Sequence, residues 1–511
     1  MASCLPMKPI KRRDFIKTSG AAGVGLTLWP LLGKADSPTP PRRPNILVFL
    51  TDDHGQWAQH AYGNMELRTP NMDRLAAMGT RMTQAFTTTP VCSPARASFF
   101  TGRMPSQHGI HDWLVSPTPA FLKGQTLLSE LLQQSGYHTG LIGKWHCGEN
   151  VEGEPQPGFD RWFSYWINQQ PHKGAQKFSD QGTLVHDQGQ QSPLLTQQAV
   201  DFLHHHPQDA ATKDKPFFLF VSHTDTHGPH NAAPAELVQQ YHSATFQDIP
   251  DEKFFPCHGY PLTGISAQPE EERKKRQEYY AAATFVDQQV GKILDALEAS
   301  GQMANTVIVY ATDHGLNAGH HGMWEKGNGT VPQNFLEESI RVPCTIAWPA
   351  GGIAQGATCA DLVNHCDLWA TLLDIAEAAP SGQIAAEINS PGRSYFPQLK
   401  GRRADHWRTT ILCEYGNARM ARTPRYKLIK RYPYKGVLKP DEFYDLQEDP
   451  RETINHYQDA SLTPVIAELT AQLDEFFARH TVPEHSGLAI ENSPFFHNAD
   501  TPWERAAKST G

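Results

Sequence analysis

The sequence predicts an α/β fold: a large, mostly parallel mixed sheet sandwiched by helices, with a smaller C-terminal α+β subdomain. Three observations predict it. Two continuous apolar runs, Asn45-Ile46-Leu47-Val48-Phe49-Leu50 and Thr306-Val307-Ile308-Val309-Tyr310, read as strands buried on both faces, which is the habit of parallel sheets. Helix-spaced segments alternate with such runs. Both runs end alike, in Thr51-Asp52-Asp53-His54-Gly55 and Thr312-Asp313-His314-Gly315. Two acidic strand ends should therefore meet at the carboxyl edge of one sheet, where open α/β sheets bind ligands.

The elements follow in order. Pro70 opens a helix over 71–78 that Gly79 stops, and a second helix over 126–134 ends before Gly136. A short strand over 139–142 and a buried strand over 216–221 come next. Tyr279, Ala283, Val286, Val290, Ile293 and Leu297 keep helical spacing up to Ser300-Gly301, just ahead of the second acidic strand. Residues 379–403, rich in Pro and Gly, read as a connector. Short strands over 409–412 and 426–429, the segment 442–446 ahead of Asp449-Pro450, an amphipathic helix over 464–479 and a surface tail over 493–511 complete the reading.

The chain has 511 residues, 39% hydrophobic and 19% charged, enough for one large core and a smaller unit. A net charge of −9 weighs against nucleic acid or acidic membranes as partners. No stretch beyond residue 40 is long and apolar enough to span a bilayer. Eight cysteines show no CxxC pair and no zinc spacing; a single bridge, Cys359 with Cys366, is the one pairing considered. Lys11-Arg12-Arg13-Asp14-Phe15-Ile16-Lys17 and the apolar run that follows look like a bacterial twin-arginine export signal. The expected organisation is a signal peptide and linker over 1–41, a catalytic domain over 42–390, and a C-terminal subdomain and tail over 391–511. The expected location is periplasmic or secreted, reached through the twin-arginine machinery.

The string Pro90-Val91-Cys92-Ser93-Pro94-Ala95-Arg96-Ala97-Ser98 resembles the signature of type I sulfatases of the alkaline phosphatase superfamily. Further motifs match in order: Asp52-Asp53, Gly143-Lys144-Trp145-His146, Asp313-His314, Gly319-His320-His321-Gly322-Met323-Trp324-Glu325-Lys326 and Glu338-Ser339-Ile340-Arg341-Val342-Pro343. The resemblance implies an alkaline-phosphatase-like fold and oxidation of Cys92 to formylglycine by a formylglycine-generating or sulfatase-maturing enzyme. Twin-arginine export carries folded proteins, so that step can precede export. The aldehyde hydrate would attack sulfur, with Arg96 holding it, Lys144 and Lys326 on the sulfate oxygens, and His146 taking the proton that lets sulfate leave.

By the same resemblance, Asp52, Asp53, Cys92, Asp313 and His314 hold one divalent cation, calcium in most of the family. His314 stands where many members carry asparagine, and imidazole is a poor calcium ligand. In Ser222-His223-Thr224-Asp225-Thr226-His227-Gly228-Pro229-His230 the match is looser, with Thr226 in place of a proline. His227 aligns with the family's general acid, with His223 and His230 as rivals. The leaving alcohol is expected to be a sulfated carbohydrate. His111, Trp113, His230 and His321 are candidate substrate contacts. Seven basic residues between Arg419 and Lys435 make a candidate cradle for a polyanionic glycan or, equally, a solvated basic strand. The alternatives are a small-molecule sulfatase of the aryl or choline type, a phosphonate or phosphate monoester hydrolase, a two-zinc phosphatase, or a non-catalytic glycan binder.

Overall fold

Five parallel strands make the centre of the molecule, and the innermost are apolar on both faces. In Asn45–Thr51, Ile46, Val48 and Leu50 pack into one core while Leu47 and Phe49 pack into another on the opposite side. The computed structural model describes residues 43–115, 118, 121–148, 153–166, 171–492 and 500–509. The expected signal peptide over 1–41 lies outside them.

The sheet has ten strands. Its order runs from Ala357–Cys359 through Gly79–Met82, Cys344–Ala347, Thr306–Thr312, Asn45–Thr51, Phe217–Ser222, His138–Gly143, Arg161–Tyr165 and Gln176–Asp180 to Thr183–Asp187. Asn45–Thr51 runs parallel to both neighbours, and the flanking strands beyond the parallel centre bring antiparallel pairs, so the sheet is mixed as predicted. One face carries the helices Cys92–Thr101, Leu128–Gln134 and His365–Ile375. The other carries Pro70–Met78, Gln191–His205 and Pro269–Ala299. Among the described residues no helix is long and apolar enough to cross a membrane.

Register places the chemistry. Thr51 pairs with Thr312, so Asp52 and Asp313 leave adjacent strands at the same level. Gly143 pairs with Ser222, which brings Lys144 alongside. Gly143 has φ 107°, and a Cβ there would lie 2.2 Å from the Ser222 carbonyl oxygen, so only glycine lets the chain turn this close to its neighbour.

The C-terminal part forms a four-stranded antiparallel sheet of Ile411–Tyr415, Ala418–Arg422, Tyr426–Arg431 and Glu442–Asp445, with the helix Thr463–Arg479 against it. It corrects two expectations. The tail is not simply surface: Pro502–Lys508 is a helix, capped by Thr501, whose Trp503 is buried against Tyr415. The seven basic residues are not a glycan cradle, because all but Lys435 are taken up by acidic partners, Lys427 among them. Arg422 meets Glu337 at 2.9 Å, Arg425 meets Asp445 at 2.8 Å, and Arg419 approaches Glu414 at 4.0 Å. Lys430 pairs with Asp441 and Arg431 with Glu442, while Lys435 lies over the Tyr434 ring.

Lys427, the seventh, is fully buried and reaches Glu452 at 2.6 Å, Glu337 at 2.9 Å and the Phe335 carbonyl at 2.8 Å. Removing one member of such a set strands the other charges. Lys427→Ala should lower the unfolding free energy by about 3–5 kcal/mol, read by denaturant unfolding. The seven described cysteines are free, so Cys359 and Cys366 are not bridged.

Candidate active site

The nucleophile position is set by a helix start. Cys92 is the first residue of Cys92–Thr101, with Val91 extended before it, and it is 2% exposed. Its Sγ lies 3.5 Å from Asp52 Oδ1, 3.2 Å from His314 Nε2 and 3.5 Å from Lys326 Nζ. Burial and Asp52 push the thiol up, but Lys144, Lys326 and His314 outweigh them and hold it well below its ordinary range. The helix N-terminus adds a field that favours an anion at this point.

Arg96, one turn along the same helix, is completely buried. Its Nε donates to Asp313 Oδ2 at 2.8 Å, and its Nη1 donates to the Lys144 carbonyl at 3.0 Å and Ser222 Oγ at 2.9 Å. Its Nη2 has no hydrogen-bond partner and stands 3.9 Å from Asp52 Oδ2. Ser222 passes the contact on by donating to the Leu50 carbonyl. The guanidinium thus ties together three strand ends.

Each lysine sits on one carboxylate of the acidic pair: Lys144 on Asp52, and Lys326 on Asp53 at 2.6 Å. Asp53 itself adopts φ 53°, and His146 adopts φ 61°, both in the left-handed region. His146 donates or accepts nothing at Nδ1, while Nε2 donates to the Leu114 carbonyl at 2.7 Å. That bond puts the proton on Nε2 and leaves Nδ1 as a free base. Burial, reinforced by Lys144, lowers the imidazole to about 4.

Of the three rival histidines, His227 is the one brought to the acidic pair. Its Nδ1 donates to the Gly228 carbonyl at 2.7 Å, and its Nε2 is 4.0 Å from Asp53 Oδ2. Burial and Lys326 pull this imidazole down, but Asp53 and Asp52 win and raise it to about 8. It remains 28% exposed, so it faces the mouth of the site. His223 is buried instead on Thr196, and His230 is packed between Tyr279 and Trp324. Thr226 donates to the Asp52 carbonyl, which steadies the backbone beside the metal-type carboxylates.

Asp52, Asp53, Cys92 and His314 offer ligand atoms that all lie within 4.8 Å of one another. Burial lifts Asp313 to about 6, with Asp52 adding to the effect. Asp52, Asp53 and Asp313, compensated here by Lys144, Lys326 and Arg96, are oxygen donors of the kind a hard divalent ion takes. His314 is the poorer donor for such an ion; its Nδ1 donates to the Gly315 carbonyl at 3.0 Å, the outer bond that commonly orients a metal-binding imidazole. Its Nε2 then faces Cys92, with Asp313 Oδ1 at 3.6 Å.

The expected substrate contacts divide. The His111 ring is buried and donates from Nε2 to the His485 carbonyl at 2.7 Å. His321, 1% exposed, holds Glu338 at 2.7 Å. Both rings are committed to internal partners rather than to a pocket. Trp113 is half-buried against the small-sheet core. Only His230 stays beside the cluster. Tyr279, which donates to the Asp53 carbonyl at 3.0 Å, and His172 belong to no site motif. Ser222 opens the motif that contains His227, and its place at the end of a buried strand is what brings it to Arg96.

Comparison with known proteins adds the family. A family profile described as sulfatase matches residues 44–378, and one described as N-sulphoglucosamine sulphohydrolase, C-terminal, matches residues 319–479. The N-acetylglucosamine-6-O-sulfatase of Bacteroides thetaiotaomicron is 25% identical over 85% of this chain and 86% of its own length. The ulvan-active sulfatase of Formosa agariphila is 28% identical over 86% of this chain and 83% of its own. A solved structure in complex with its substrate D-glucosamine-2-N,6-O-disulfate superposes with TM-score 0.73 at 25% identity, covering 86% of this chain and 98% of the other.

Proposed function

Because the chain belongs to the sulfatase family, we propose that it removes sulfate from sulfated carbohydrate through formylglycine made from Cys92. The observation that carries this reading is the convergence on one buried sulfur of Asp52, His314 and Lys326, with Arg96 beneath it. The related proteins active on N-acetylglucosamine 6-O-sulfate and on ulvan support a carbohydrate as the leaving alcohol. Asp52, Asp53, Asp313 and His314, with the side chain at position 92, would hold one divalent cation, calcium by the preponderance of carboxylate oxygens.

The aldehyde hydrate supplies an oxygen nucleophile for sulfur, and the cation supplies Lewis-acid stabilisation of the sulfate oxygens. The chain's own residues do the rest. Lys144 and Lys326, which pair with Asp52 and Asp53, would bind the sulfate oxygens. Arg96 keeps Asp313 ionised and fixes the floor of the site. His227 delivers a proton from Nε2 to the departing sugar oxygen, and His146 accepts one at its unpartnered Nδ1. The twin-arginine stretch at Lys11–Lys17 supports export of the folded, already modified protein.

Release of inorganic sulfate from a panel of sulfated sugars tests the reading, run beside phosphonate monoesters and phosphate diesters. Sulfate esters should be cleaved fastest; a faster rate on phosphonates overturns it. In the same assay, His227→Ala should cost about 10²–10⁴-fold on sugar sulfates. It should cost far less on 4-nitrophenyl sulfate, whose leaving group departs without a proton. Equal losses on both would remove His227 from the role of general acid.

A further inference from the structure

We propose that a second anion-binding subsite, built from His172, His230 and Lys275 around Trp324, accepts a carboxylate or second sulfate on the leaving sugar. The inference rests on the sulfatase reading, since it places the leaving group on the His227 side of the nucleophile.

His172 is 7% exposed, and its ring lies 6.4 Å from that of His227. The His230 ring is 5.1 Å from Tyr279 and 5.9 Å from Trp324. The Lys275 ammonium stands over the Trp324 ring at 5.0 Å. These groups therefore continue outward from the proton donor, where the alcohol must lie.

Two features point to a ligand. His172 Nδ1 and His230 Nδ1 are both buried with no hydrogen-bond partner. An unmet buried polar atom costs about 1–3 kcal/mol, which a bound polar group can offset. Lys275 is also a cation with no carboxylate within ion-pair distance among the described residues. Its neighbours are unlike it: Lys274 pairs with Glu278 and Arg276 with Glu272. Glu272 does not compete for Lys275, because it also accepts from Trp324 Nε1 at 2.8 Å and so braces the indole on which the lysine rests. Lys173, whose Nζ donates to the carbonyl of Asn231 beside His230 at 2.6 Å, likewise has no carboxylate partner among the described residues. Two such cations near His230, in a chain of net charge −9, favour a substrate with more than one negative group.

The test offers sulfated saccharides in pairs that differ by one added sulfate or one added carboxylate. The wild-type enzyme should prefer the doubly charged member of at least one pair by about tenfold in kcat/KM, the worth of one hydrogen bond to a charged group. Lys275→Ala should erase that ratio, and Lys275→Glu should invert it. Which kind of pair responds identifies the anion as sulfate or carboxylate. A ratio near one in the wild type, or a ratio that Lys275→Ala leaves in place, overturns the subsite. Calorimetric binding of the same pairs to Cys92→Ala reads the subsite without turnover. Charge-dependent binding there, with no sulfate release by the wild type, would count against the sulfatase reading and for the subsite.

Discussion

Cys92→Ala is expected to lower sulfate ester turnover by about 10⁴–10⁶-fold, the scale at which a covalent nucleophile is lost. The expectation follows from placement rather than from the thiol's own reactivity. Cys92 sits at a helix N-terminus with Lys326, Asp52 and His314 all against its sulfur. Alanine leaves those groups in position with nothing to act through. Cys147 is the control. Burial pushes its thiol far up, and its Sγ lies 3.5 Å from the Trp145 carbonyl within the apolar core. Cys147→Ala should therefore keep turnover. Kinetics on both variants separate a particular cysteine from any nearby thiol.

Arg96→Ala should fail in two ways. The guanidinium is fully buried and is the 2.8 Å partner of Asp313, so its loss leaves a buried carboxylate uncompensated. That costs about 3–5 kcal/mol of stability, read by denaturant unfolding. Activity should fall by about 10²–10³-fold, as when a preorganised charge is removed from a reaction centre. Arg96→Lys separates the two effects. One ammonium can follow Asp313 but cannot also reach the Lys144 carbonyl and Ser222 Oγ, which the planar guanidinium holds together. Lysine should thus recover much of the stability and little of the activity. Recovery of both would mean that charge alone matters there.

The parts legible in the sequence were those written as local pattern. Asn45–Thr51 and Thr306–Thr312 were visible because a strand buried on both faces has no polar alternation, and their matching ends announced a shared edge. The helix Pro269–Ala299 was legible only from Tyr279 onward, because its first turns, Pro269 to Glu278, are mostly charged and carry no apolar stripe. Strands such as Thr183–Asp187, largely exposed at the sheet margin, gave no burial signal. The tail helix carries a local start signal, Thr501 with Pro502 and Glu504 forming a capping box.

Pairing over long distances in sequence was the other limit. Arg422 and Lys427 pair with Glu337 and Glu452, residues that nothing local connects to the basic strand. The run of charge therefore leaves a glycan cradle and a solvated strand equally open, whereas most of its charges are paired internally. His172 and Lys275 reach the mouth of the site from unrelated segments, so no motif could place them beside His227.

Peptide mass spectrometry across Cys92, on active enzyme isolated from cells that mature it, tests the central claim most directly. The account predicts a sulfur-free aldehyde at that position, present in proportion to activity. Full activity with an unmodified thiol at Cys92 would contradict it.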